Sequence, residues 1–380
     1  MKSLKVYLIA GEPSGDMHGS NLMKGLLASD SGCEIRFWGG DMMSEVGGTM
    51  VKHYRETVMI GFVEVLKKLD KVFSNLSFCK RDLLEYHPDV LILIDYPGFN
   101  LKMAEFAKSH GIKVFYYISP KVWAWKEGRV RLLKKYVDML YIIFPFEIPY
   151  FRKKGITARY FGNPLIDRIE NDERLKGTRE DFLNRHSLEE STFIAMLPGS
   201  RKMEIDFLLP RMKGMVEILN ERYPGRYHFL LAAAPSVDIS RYGTIEGVTI
   251  IQNDTYSVLR HSAAAVISSG TASLEAALTG TPQVVCYGGN PISVWIARKV
   301  IRIDTISLAH MILGRHIFKE WIQDECSPDA LSSEVVRLSS DEKVIAAMKS
   351  DYAQMRSLMG DAGASFRVGA DMYEYLKQTI

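Results

Sequence analysis

The sequence predicts an α/β protein of two Rossmann-like domains whose parallel sheets face a central cleft. Three observations carry this. Short, fully apolar runs such as "VLILI" alternate with stretches long enough for helices, the pattern of strands buried on both faces. The alternation stops at Asn163-Pro164 and a polar, charged stretch (171–190), then restarts. The residues that follow several apolar runs are small and polar, and in open α/β sheets ligands bind beyond the carboxyl ends of the strands.

Taken in order, the first set of strands is predicted at 5–10, 35–38, 90–94, 114–118, 140–144 and 158–161. The second set is predicted at 193–197, 229–233, 248–251, 265–268 and 284–286. A chain of 380 residues suffices for two cores. The expected domains are 1–164 and 165–343, with helices in 344–380 crossing back to the first domain.

Composition narrows the function classes. A hydrophobic share of 47% with 24% charged residues is that of a soluble globular protein, and a net charge of +3 does not by itself call for nucleic acid. Cys33, Cys79, Cys286 and Cys326 include no CxxC pair, so they read as reduced thiols of a cytosolic protein rather than a zinc site or a disulfide framework. The first apolar run is too short for a signal peptide, and charge or proline interrupts the others before they could span a bilayer.

Four loops carry candidate chemistry. In "VYLIAGEPSGDMHGSN" the glycine spacing fits no dinucleotide fingerprint, and no Lys-Ser/Thr pair ends it. Glu12 would repel a diphosphate by roughly 1 kcal/mol or more, so it is suited to hydroxyls or an amide. The same residues serve equally as a plain turn at Gly11 and Gly15, with Asp16 capping the next helix. In "PDVLILIDYPGFN" Asp95 ends an apolar strand, where a partly desolvated carboxylate is either a general base or a cap.

In "IAMLPGSRKMEI" Gly199 and Ser200 let backbone N–H groups approach an anion, and Arg201 adds a permanent fork-shaped cation for phosphate. In "VISSGTASLEAALTGTP" Ser269, Gly270 and Thr271 open a helix whose positive end attracts phosphate. Glu275 lies one turn in, on the face of Thr271, placed for a ribose's two hydroxyls. Gly280 and Pro282 end that helix. The bland alternative is a capped core helix with Glu275 in solvent.

The segments "AGEPSGD", "IDYPGFN", "YYISPKVWAWKEGRV", "LPGSR" and "SSGTASLEAAL", in that order, make the chain resemble the lipid-A-disaccharide synthase family. The resemblance runs from about residue 8 to 325. It implies an inverting glycosyltransferase of GT-B fold that joins UDP-2,3-diacylglucosamine to 2,3-diacylglucosamine 1-phosphate, forming a β-1,6-linked disaccharide and UDP. The catalytic residues it implies are Asp95, Glu12 and Arg201. UDP would contact Gly199, Ser200, Arg201, Ser269, Gly270, Thr271 and Glu275. Ser14, Asn163, His310, Trp123 and Trp125 would touch the sugars or acyl chains. Asn163 stands where the family has the His of Gly-His-Pro, and His310 where it has the Asn of Ser-Leu-Pro-Asn. No cofactor is implied, and without an Asp-x-Asp pair no metal is expected at the diphosphate.

The acylated substrates place such an enzyme on the cytoplasmic face of the inner membrane as a peripheral protein, with no nucleic-acid partner. The stretch 59–78 supplies Phe62, Leu66, Leu69, Val72 and Phe73 beside Lys67, Lys68 and Lys71, an apolar face flanked by positive charge that suits an anionic surface. The basic, apolar stretch 294–304 would add to it. Competing expectations are another UDP-sugar enzyme, such as the peptidoglycan N-acetylglucosaminyltransferase or a UDP-sugar epimerase, and a non-catalytic nucleotide-sugar-binding protein at a membrane.

Overall fold

The structure is a computed structural model, described here for residues 3–56, 69–124, 126–289 and 305–379. Phe62, Leu66, Lys67, Lys68, Trp125, the stretch 294–304 and the side chain of Leu69 lie outside the described residues.

The chain divides into two compact units, Met1–Pro164 with Gly360–Ile380, and Leu165–Met359. In the first, β1 (Lys5–Ala10), β2 (Glu34–Gly39), β3 (Thr49–His53), β4 (Val90–Ile94), β5 (Lys113–Tyr117), β6 (Met139–Ile142) and β7 (Ala158–Tyr160) form a parallel sheet in the order β3-β2-β1-β4-β5-β6-β7. In the second, β8 (Thr192–Leu197), β9 (Tyr227–Ala233), β10 (Val248–Gln252), β11 (Ala264–Ser268), β12 (Gln283–Tyr287) and β13 (Glu320–Ile322) are also parallel, in the order β10-β9-β8-β11-β12-β13. All five residues of β4 and of β11 are buried, as strands covered by helices on both faces must be.

Each strand order reverses once. The reversals fall between β1 and β4 and between β8 and β11. At such a switch point the two following connections leave toward opposite faces and open a crevice for a ligand. The four loops singled out in the sequence follow these four strands.

Two edge strands are additions to the sequence expectation. β3 and β13 bury none of their residues completely, so neither carries the apolar run that marks a central strand. The C-terminal boundary also differs. The helix Glu342–Leu358 stays with the second unit, because its Met348, Tyr352 and Met355 are buried there and Tyr352 meets the Gln283 amide at 3.2 Å. Only the helix Ala364–Thr379 returns to the first unit. It lies on the helix Pro13–Ser29 and adds Val368, Met372 and Leu376 to the core around Leu22, Met23 and Leu26. Tyr117 to Ser365 (2.8 Å) and Tyr141 to Asp371 (2.8 Å) tie it to β5 and β6.

The two helices touch backbone to backbone at Gly25 and Gly369: a Cβ on Gly25 would lie 2.3 Å from the Phe366 carbonyl oxygen. Gly25→Ala therefore forces them apart and is expected to lower stability by ~1–3 kcal/mol, read as a lower midpoint in urea or thermal unfolding.

Candidate functional site

In the first unit β1 ends at Gly11, and the helix Pro13–Ser29 starts with Pro13 at its first turn. Glu12, the residue before it, is exposed and makes no capping bond. Ser14 is exposed beside it. Asp16 does not cap this helix. Its carboxylate reaches across to accept from the backbone N–H groups of Gly40 (2.8 Å), Met42 (3.1 Å) and Met43 (3.1 Å), and so caps the helix Asp41–Val46. That leaves Glu12 as the loop's uncommitted acid.

β4 runs into Asp95 and Tyr96, both left-handed at φ 44° and 47°. Consecutive non-glycine residues in this region store strain, which neighbours must hold. The hold is visible: the Asp95 carbonyl accepts from Tyr116 Oη (2.6 Å) and Asn100 Nδ2 (2.7 Å), while its N–H donates to the Tyr117 carbonyl (3.0 Å). Asp95 is not a helix cap; Tyr96 occupies that position ahead of the helix Pro97–Ser109. The Asp95 carboxyl is pushed up to about 6, chiefly by burial and then by the nearby Glu12 charge, against Lys121 and the Tyr96 N–H. A carboxyl poised near neutrality at a switch point is equipped to take a proton.

The segment from β5 carries Ser119 and Trp123. Both donate to the buried carboxylate of Glu147, Ser119 from 2.7 Å and the Trp123 indole from 3.1 Å, and the Ile143 and Phe144 N–H groups complete its shell. Trp123 is half-buried, edge-on to Phe146, so its indole N–H is spent on the protein. Asn163 is buried and donates to the Ile143 carbonyl at 2.8 Å. These are anchored positions rather than open contacts.

In the second unit Gly199 adopts φ 107°, and a Cβ there would lie 2.5 Å from a Glu204 carboxylate oxygen. Glu204 is buried and accepts from the N–H groups of Ser200 (3.0 Å) and Arg201 (3.1 Å). The backbone donors expected to meet a phosphate therefore already serve an internal carboxylate. The Arg201 side chain is 80% exposed and touches Glu204 at 3.2 Å, leaving most of its fork open.

After β11, Gly270 precedes the helix Thr271–Thr279 without a side-chain cap, and Gly270 and Thr271 are exposed, so the first N–H groups of the helix are open to an anion. Ser269 is half-buried and its Oγ donates to the Ile306 carbonyl (3.3 Å). Gly280 closes the helix in the left-handed conformation. Glu275 is not in open solvent: its side chain is 14% exposed, meets Tyr256 Oη at 3.2 Å and faces Arg168 at 3.9 Å, and burial raises its pKa. His310 is buried, with Nδ1 against Thr305 Oγ1 (2.8 Å) and Glu320 Oε1 (3.1 Å) and Nε2 3.4 Å from the Phe318 N–H. It is walled in by these partners rather than presented to a sugar.

Sequence reasoning missed Glu147 and Glu204. Glu204 had a legible signal, since an acid three residues after Arg201 at a helix start is the spacing of a capping box. Glu147 lies 28 and 24 residues from the side chains it holds, so only folding reveals it.

Residues 6–365 match the family described as lipid-A-disaccharide synthetase. The lipid-A-disaccharide synthase of Geobacter metallireducens is 35% identical over 98% of this chain and 97% of its own length. That of Trichlorobacter lovleyi is 33% identical over 99% and 98%. Among solved structures, the UDP-GlcNAc 2-epimerase from Neisseria meningitidis bound to UDP-GlcNAc superposes with a TM-score of 0.62 at 13% identity, covering 99% of this chain and all of that one, a likeness of fold.

Because the Asp95 pKa lies above the ordinary carboxyl value, ionising it costs stability at neutral pH. Asp95→Asn is expected to stabilise the protein at pH 7.5, on the order of 2 kcal/mol. The gain should shrink as the pH falls through about 6, and vanish once the wild-type carboxyl is protonated in both folded and unfolded states. Thermal melts of both proteins across that range check it, and an Asn variant less stable than wild type at pH 7.5 would refute the buried-acid reading.

Proposed function

The chain belongs to the lipid-A-disaccharide synthetase family and is a glycosyltransferase of lipid A biosynthesis; on that premise we propose how its two units divide the reaction. Asp95 of the first unit accepts the proton of the acceptor's hydroxyl as the oxygen attacks the anomeric carbon, and Glu12 orients the sugars and keeps Asp95 a competent base. The second unit holds the donor, UDP-2,3-diacylglucosamine. The open end of the helix Thr271–Thr279 and the Arg201 fork take the diphosphate, and Glu275 takes the ribose. As the glycosidic bond to UDP breaks, Arg201 and the helix end stabilise the charge that develops. The acceptor is 2,3-diacylglucosamine 1-phosphate, and attack opposite the leaving group inverts the anomeric centre. The carrying observation is Asp95, strained, clamped and raised toward neutrality where β4 ends.

Phe73 supports a peripheral seat on the anionic inner face of the membrane. It is 57% exposed at the start of the helix Leu69–Tyr86, with Lys71 exposed nearby and Lys102 5.5 Å above its ring, whereas Val72 is half-buried. Among the described residues no helix is long and apolar enough to cross a bilayer.

Two measurements test this. UDP release in detergent micelles should require both substrates, persist in EDTA, and fall by about 10²–10⁴ in Asp95→Asn. Release that survives the substitution would remove Asp95 from the base role. The wild-type kcat/KM should decline below about pH 6, and Glu12→Gln should move that limb to lower pH, since Glu12 raises the Asp95 pKa. Separately, Phe73→Asp should weaken sedimentation with phosphatidylglycerol vesicles while leaving micellar turnover near wild type. Unchanged sedimentation would exclude this face.

A further inference from the structure

The second unit gathers His310, His316 and Glu320, whose ligand atoms all lie within 4.8 Å of one another. His310 belongs to the helix Leu308–Leu313, Glu320 opens β13, and His316 stands on the loop joining them. His310 Nδ1 and Glu320 Oε1 are 3.1 Å apart, close to the ~3.3 Å between neighbouring ligands of a tetrahedral ion with bonds near 2.0–2.1 Å. Thr305 Oγ1 adds an oxygen 2.8 Å from the first and 2.6 Å from the second.

A histidine–carboxylate pair alone needs no third member. His316 is exposed and makes no hydrogen bond among the described residues, yet its ring sits 4.8 Å from that of His310, centroid to centroid. Two imidazoles and a carboxylate with an open fourth position form the donor set of zinc-like ions rather than of magnesium or calcium.

We propose that His310, His316 and Glu320 bind one divalent transition-metal ion, of the zinc, cobalt or nickel class, at a site separate from the sugar nucleotide. Binding takes His310 as the Nε2–H tautomer, with Nδ1 on the ion and the long Nε2 contact with the Phe318 N–H (3.4 Å) given up, and turns the exposed His316 ring inward. The ion clamps the segment 305–320. That segment reaches the phosphate loop through two hydrogen bonds, Ile306 N–H to Glu320 Oε2 (3.2 Å) and Ser269 Oγ to the Ile306 carbonyl (3.3 Å). The metal thereby acts on the rigidity of the donor side without touching the diphosphate.

The experiment titrates Co²⁺ into the full chain, stripped with EDTA and dialysed, and records visible d–d absorption and thermal melting, with Zn²⁺ and Mg²⁺ in parallel. One Co²⁺ per chain with tetrahedral absorption is expected, together with a raised Tm for Co²⁺ and Zn²⁺ and none for Mg²⁺. His316→Ala, an exposed position whose loss leaves the core intact, should weaken Co²⁺ binding by more than about tenfold. Its metal-free UDP release should match wild type. Absence of tetrahedral absorption in the wild type, or absorption retained by His316→Ala, would overturn the site.

Discussion

The candidate site of the first unit depends on the close approach of Gly11 to Tyr96. A Cβ on Gly11 would fall 2.4 Å from the Tyr96 ring, so the ring can lie against the end of β1 only because position 11 has no side chain. Tyr96 reaches that place by taking a left-handed conformation, as does Asp95 before it. The contact and the two dihedrals together set the Asp95 and Glu12 carboxylates within electrostatic reach, and their repulsion helps hold Asp95 near neutrality. The strain resides in backbone that Tyr116 and Asn100 grip from the carbonyl side.

Carboxylates elsewhere do the opposite work. Asp16, Glu147 and Glu204 are buried, and each accepts from two or more backbone N–H groups that a loop or helix start would otherwise leave bare. These acids are structural because donors of the protein already engage both of their oxygens. Asp95 and Glu12 stand out by contrast: one is poorly solvated with a single backbone donor, the other exposed beside it. Burial alone does not separate uncommitted acids from anchoring ones; the count of donors aimed at each does.

Arg201 shows the same division within one loop. Its backbone N–H is consumed by Glu204, while its guanidinium stays exposed. What the second unit leaves open to an anion is thus an exposed guanidinium and one uncapped helix end, rather than a cradle of loop N–H groups.

The sequence by itself determined the parallel sheets, the strands around both switch points and the four loops beyond them, because buried parallel strands must be apolar throughout and the loops after them must be small and polar. The ordered motifs carried the family as well. It did not disclose β3 and β13, whose half-exposed residues carry no apolar run, or the place where the chain crosses back, since Met348, Tyr352 and Met355 give the helix Glu342–Leu358 an apolar face just as Val368, Met372 and Leu376 give its successor one. Nor did it show that Asp16 caps a helix 25 residues on, that Glu147 holds Trp123, or that His310 is walled in beside Glu320. Those partnerships join residues distant in sequence, and a side chain's partners, hence its charge state and its freedom to meet a ligand, exist only once tertiary packing has brought them together.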